Sequence, residues 1–229
     1  LARSVSVPDR IRQIAKGRSI HSLLHFTQLQ NLPNIIQHGI LPREVLYDVD
    51  FDAHASADYQ LNGKYGAVSL SISAVSEKIF SAKTKKSTES DWVVLFIDPS
   101  ILWTHDCRFC FRNAATKKMK NHRGRLDGPW ALEQMFSDEM APPNFKGTSY
   151  RAVTDIPNFL TTDPDAEVQV FGRVAPETIK SAWGPGSDLA ETVQNELNRL
   201  SGPERDVLAD EFTTTSNGYS GWIRSDSML

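Results

Sequence analysis

Long apolar runs are missing from this sequence. No stretch comes near the ~20 consecutive apolar residues of a membrane-spanning helix. The first residues, with Arg3, Asp9, Arg10 and Arg12, lack the apolar centre of a signal peptide. The expectation is therefore a soluble, cytoplasmic protein with no membrane partner. Cysteine is scarce: Cys107 and Cys110 alone are present, in a C-x-x-C spacing. Zinc needs four ligands, and no second pair exists. His105 and His122 complete no familiar spacing, so two reduced thiols and no bound metal are expected. No G-x-G-x-x-G and no Walker sequence occurs, which disfavours Rossmann and P-loop enzymes. The G-x-S-x-G elbow of many serine hydrolases is absent as well. Charge of one sign is not in excess, and the net charge of −3 carries no global signal for nucleic acid.

What is present is an ordinary globular balance of 229 residues, 40% hydrophobic and 23% charged. That length suits one domain and can bury a substantial core without staples. Residues 1–20 read as an N-terminal extension with a short helix from Asp9 to Lys16. Residues 21–200 read as the main domain and residues 201–229 as a polar C-terminal tail. His21 to Phe26 reads as a first strand, with Thr27 as the N-cap of a following helix. Leu29, Leu32, Ile35 and Ile36 recur at helical spacing, and Gly39 stands where a left-handed stop belongs. Arg43 to Tyr65 is a long polar connection with a turn signal at Asn62-Gly63, and such loops tend to be functional. Ala67 to Ser73 alternates: Val68, Leu70 and Ile72 face one way, Ser69, Ser71 and Ser73 the other. A short helix from Ala74 to Ala82, capped by Ser73, is expected next. Trp92 to Asp98 reads as an apolar strand, Arg108 to Arg125 as a basic connection, and Asp127 to Glu139 as a helix capped by Asp127. Ala166 to Phe171 reads as a strand, and Leu189, Val193, Leu197 and Leu200 mark a last amphipathic helix. The class is α+β: a bent sheet core with peripheral helices.

Three segments set a polar side chain into a strand that otherwise favours burial. They are His25-Phe26-Thr27, the serine-bearing strand 67–73, and Asp165 to Val170 with Glu167. A buried polar group needs a partner. Taken singly, His25 reads as a core histidine bonded to backbone and Glu167 as a surface carboxylate. Their ordered combination says more. His-Phe-Thr, then Asn31-Leu32, then Gly39-Ile40-Leu41, a serine-rich strand and a late Ala-Glu-Val strand together resemble the DarT family. So do WVVLFIDPSILW, Asn113-Ala114-Ala115 and TTDPDAEVQVFGRVAPETI, and the resemblance runs from about Leu23 to Lys180.

That resemblance implies an NAD⁺-dependent ADP-ribosyltransferase of single-stranded DNA with a split-sheet fold related to the poly(ADP-ribose) polymerases. It implies that His25 and Thr27 belong to the motif that binds the NAD⁺ ribose and nicotinamide, and that Glu167 is catalytic. Ser71 and Phe80 would line the nicotinamide pocket, with Asn31 and Gly39 also at the cofactor. Many members of the family carry an arginine ahead of a Leu-Asp/Asn-Gly turn. Here that stretch reads Tyr59-Gln60-Leu61-Asn62-Gly63, and Arg43 or Lys64 is expected to supply the charge near the diphosphate.

The modest net charge hides a local asymmetry. Arg108, Arg112, Lys117, Lys118, Lys120, Arg123 and Arg125 occur in one stretch without a carboxylate, with Phe109, Phe111 and Trp130 nearby. Cations meet phosphates and rings stack on bases, so this track, with Asn113, is the expected site for single-stranded nucleic acid. Lys83, Lys85 and Lys86 are expected to extend it. The target is DNA first and RNA second. A toxin or phage-defence effector with a cognate antitoxin is the fuller expectation. An NAD⁺ glycohydrolase and an inactive nucleotide- or nucleic-acid-binding relative are the alternatives.

Overall fold

The computed structural model describes residues 5–46, 66–86, 91–209 and 219–220. The Asn62-Gly63 turn, Lys64 and most of the expected tail lie outside them. Among the described residues the strands are β1 (Leu23–Gln28), β2 (Ala67–Ile72), β3 (Val75–Ser76), β4 (Trp92–Ile97), β5 (Asp106–Cys110), β6 (Glu167–Phe171), β7 (Ile179–Trp183), β8 (Val207–Leu208) and β9 (Tyr219–Ser220). The helices are α1 (Val7–Gly17), α2 (Leu32–His38), α3 (Arg43–Leu46), α4 (Glu77–Lys86), α5 (Ile101–Thr104), α6 (Lys117–Lys120), α7 (Pro129–Gln134), α8 (Tyr150–Val153) and α9 (Ser187–Leu197).

Apolar alternation builds a seven-stranded sheet in the order β5-β6-β2-β1-β4-β7-β8. Its pairs are antiparallel except β7 with β8, and β3 pairs with β9 as a separate ribbon. The α+β class is thus observed. One face carries Leu23, Leu70, Ile72, Val93, Leu95, Ile97, Phe109, Val168 and Val170, which pack with Ile11, Leu32, Ile36, Leu132 and Val193 of the helices. The other face gathers Leu24, Val75, Phe80, Trp92, Val94, Phe96 and Trp183. Fully burying one such side chain contributes roughly 1.5–3 kcal/mol.

Local chemistry sets the element ends. The Ser6 hydroxyl accepts the Asp9 N–H at 3.2 Å and caps α1. Gly39 closes α2 with φ +83, its N–H donating to Ile35 O at 2.7 Å. A Cβ there would meet the Val174 carbonyl at 2.4 Å, so the close approach as well as the dihedral demands glycine. Arg205 is 4% exposed and donates to three carbonyls, Ile179 at 2.7 Å, Pro203 at 3.1 Å and Ser201 at 3.2 Å. It fixes the chain that brings Val207 and Leu208 alongside Ala182 and Trp183. The sheet therefore continues past residue 200, into the stretch expected as tail.

Several local expectations are corrected. Thr27 caps no helix: it lies within β1, and a 3-10 turn (Leu29–Asn31) precedes α2. Its Oγ1 accepts from Asn31 Nδ2 at 3.0 Å instead. Ser76, not Ser73, caps α4, accepting the Ile79 N–H at 3.2 Å. Ser73 has φ +60, a turn conformation that ends β2. Asp127 does not cap α7, which starts behind Gly128 at φ +103. That carboxylate is drawn to Arg125 at 2.6 Å. Arg108 lies in β5, not in a connection, because Cys107 and Phe109 alternate with it and turn to the core. No described helix is long and apolar enough to cross a membrane.

Candidate active site

The sheet opens between its two central strands. The β1–β4 ladder holds six register pairs, from Leu23↔Ile97 to Gln28↔Trp92. The β1–β2 ladder holds two, Leu23↔Ile72 and Leu24↔Ser71. Where it stops, the next residue of β1 supplies a side chain: His25 Nδ1 lies 3.2 Å from the Ser69 carbonyl oxygen. Backbone carbonyls require partners, and the imidazole provides one here. A carbonyl only accepts, so Nδ1 carries the hydrogen and the neutral ring keeps a lone pair on Nε2. Burial lowers the His25 pKa to about 4, with the Lys83 charge adding to it and the Ser69 carbonyl opposing. At neutral pH the ring is therefore an uncharged acceptor.

Glu167 opens β6 and is 9% exposed. Its Oε1 accepts the Ala114 N–H at 2.7 Å. The Ser69 hydroxyl also hydrogen-bonds the carboxylate. Burial raises the Glu167 pKa above the usual carboxylate range, while those two bonds and the charges of Lys83 and Arg108 hold it back. The turn that presents Ala114 is itself held: Asn113 Oδ1 accepts the Ala115 N–H at 2.8 Å, and Thr116 Oγ1 donates to the Asn113 carbonyl at 2.8 Å. Gln169 and Ser69 are cross-strand partners, and Arg108 Nη1 donates to Gln169 Oε1 at 3.2 Å.

Strand alternation assigns His25 and Glu167 to opposite side-chain sets. They nevertheless meet at one residue, because Ser69 offers its carbonyl to the imidazole and its hydroxyl to the carboxylate. Ser71 follows on the same strand, half-buried and opposite Leu24. Phe80 packs edge-on against Phe26 with centroids 5.3 Å apart, beside Trp92 and Trp183. Thr27 and Asn31 form their own pair at the start of α2, and Gly39 lies against Val174. Arg43 stands half-buried at the head of α3.

The basic track divides. Arg112 is a part-buried clamp engaged within the fold: its side chain is 15% exposed, and it pairs with Asp163. Its Nη2 donates to the carbonyls of Met140 at 3.0 Å and Ala141 at 2.9 Å. Sequence alone cannot separate such a cation from a solvated one. Lys117, Lys118, Lys120, Arg123 and Arg125 are exposed. Arg125 pairs with Asp127, and Lys118 Nζ lies 5.7 Å from the Phe111 ring centroid. The exposed set begins three residues after Ala114, whose N–H holds Glu167. Cys107 and Cys110 diverge, the first toward Ile101 O at 3.5 Å and the second toward Gln169 Oε1 at 3.9 Å. Burial pushes the Cys107 thiol up to about 12. Ser69, Gln169 and the Ala114 N–H are site features that sequence reasoning did not select, and Lys83 enters it only as an extension of the basic track. The alternation of strand 67–73 marked Ser69, but nothing in it separated that serine from Ser71.

A family model described as ssDNA thymidine ADP-ribosyltransferase, DarT, matches residues 24–211. No curated protein matches the chain. The fold is similar to Thermus sp. 2.9 DarT in complex with carba-NAD⁺, with a TM-score of 0.55, 14% identity, and coverage of 82% of this chain and 95% of that one. The same protein in complex with ADP-ribosylated ssDNA gives a TM-score of 0.55 and 13% identity over 83% and 95% of the two chains. Thermosipho africanus DarTG in complex with ADP-ribose gives 0.54 and 13%, covering 83% of this chain and half, 50%, of that longer one.

Proposed function

The chain belongs to the DarT family of ssDNA thymidine ADP-ribosyltransferases, and from that premise we propose that it transfers ADP-ribose from NAD⁺ to thymidine in single-stranded DNA, with Glu167 and His25 acting on the NAD⁺ ribose. The observation that carries the reading is the convergence of both side chains on Ser69.

Transfer breaks the bond between ribose C1′ and the pyridine nitrogen. The bonding pair leaves with nicotinamide, and positive charge develops on the sugar as in glycoside cleavage. An ionised Glu167 stabilises that charge and holds a ribose hydroxyl. His25 Nε2, uncharged and fixed by the Ser69 carbonyl, accepts from a second hydroxyl and sets the sugar's pose. A thymine base in DNA retains one ring N–H. As its nitrogen bonds to C1′ that proton must leave, and a carboxylate with a raised pKa is a suitable acceptor. Phe80 and Ser71 flank the nicotinamide side, with Thr27 and Asn31 behind the ribose. Lys117, Lys118, Lys120, Arg123 and Arg125 take DNA phosphates, with the exposed Trp130 available for stacking. An enzyme that modifies the DNA of its own cytoplasm would be held in check by a cognate antitoxin.

The test uses labelled NAD⁺ with separate single-stranded DNA, RNA and protein pools. Label is expected on thymidine-containing DNA and not on thymidine-free oligonucleotides. Label on RNA or protein, or nicotinamide release indifferent to nucleic acid, overturns the reading.

A further inference from the structure

α4 carries Lys83, Lys85 and Lys86 toward its C-terminal end. Phe80 anchors the helix in the aromatic cluster. Lys83 follows three residues later and rises on the same side of the helix. Lys85 and Lys86 are exposed, but Lys83 is half-buried. Its Nζ lies 5.2 Å from the centroid of Phe26, the residue after His25. Glu167 takes its direct hydrogen bonds from Ala114 and Ser69, and Lys83 acts on it, as on His25, through space.

Of the three lysines at the C-terminal end of α4, Lys83 is thus the one on the site's side, and the sugar gripped there limits what it can meet. That sugar is joined through one methylene to a diphosphate, and a four-carbon stem lets an ammonium reach past a ribose. We propose that the Lys83 ammonium binds the diphosphate of NAD⁺ from α4, over Phe26, and positions the ribose for Glu167 and His25. This rests on the function proposed above. It separates Lys83 from Lys85 and Lys86, whose exposure suits the DNA backbone.

The experiment measures inhibition of transfer by ADP-ribose and by nicotinamide riboside, which lacks the diphosphate, in wild type, Lys83→Gln, Lys83→Met and Lys83→Arg. Met keeps the aliphatic stem over Phe26, and melting temperatures report whether each variant folds. Gln and Met are expected to weaken ADP-ribose about tenfold, the size of one charge-assisted hydrogen bond. They should raise KM for NAD⁺ similarly with kcat held, leave nicotinamide riboside unchanged, and lose nothing when the charge is kept as Arg. Unchanged ADP-ribose inhibition, or equal weakening of both ligands, overturns the assignment. A wild type that transfers nothing to DNA would instead overturn the proposed function.

Discussion

One face of the sheet has two halves of different character. Along β1, β4 and β7 it presents Leu24, Phe26, Val94, Phe96 and Trp183, covered by Phe80. Along β2, β6 and β5 it presents Ser69, Ser71, Glu167, Gln169 and Arg108. The backbone is the same pleated ladder in both. The apolar half needs no specific partners and is held by packing. The polar half holds its buried groups by hydrogen bonds, from Arg108 to Gln169 and from the Ala114 N–H to Glu167. On this face packing holds one half and hydrogen bonds hold the other.

Substitutions can break that division. Glu167→Gln is expected to reduce transfer by about two to four orders of magnitude. Its melting temperature should hold or rise, because burial disfavours the charge it removes. Single-turnover labelling and thermal unfolding check both halves of the statement. Phe96→Ala should do the reverse, costing about 3–5 kcal/mol in a denaturant titration while NAD⁺ affinity of the folded fraction survives. Ser69→Ala should lower kcat/KM about tenfold, by loss of one hydrogen bond to a charged group. The acid limb of its pH profile should move to higher pH, since the Ser69 hydroxyl lowers the Glu167 pKa. The smallest effect sharpens the contrast. The His25 ring should show an unchanged neutral Nδ1–H signature by NMR from pH 8 to pH 5. Its folded pKa of about 4 lies below the ordinary 6.5, so the unfolded chain binds its proton first. His25 therefore costs stability progressively as pH falls from about 6.5 through about 4.

The sequence made the apolar half readable and the polar half only partly so. Strands β2 and β4 follow from alternation and from an unbroken apolar run, and β6 from its valines. β5 and β7 are not read as strands from the sequence because Asp106, Arg108, Lys180 and Ser181 leave each only a short apolar set. His25 and Glu167 stand out as polar groups in buried strands. Their junction at Ser69 depends on a ladder that stops after Leu24, a property of strand divergence and not of residue type. Arg112 misleads for a related reason: its partners, Asp163 and the carbonyls of Met140 and Ala141, are remote in the chain.

The three carbonyls gathered by Arg205 matter beyond their local bonds. Release of that guanidinium would loosen residues 201–208 and open the outer edge of Ala182 and Trp183. A naked margin offers its amides and carbonyls to any neighbour of like kind, including another copy of the protein. Clipping by a protease just ahead of Arg205 would therefore invite clumping along that edge.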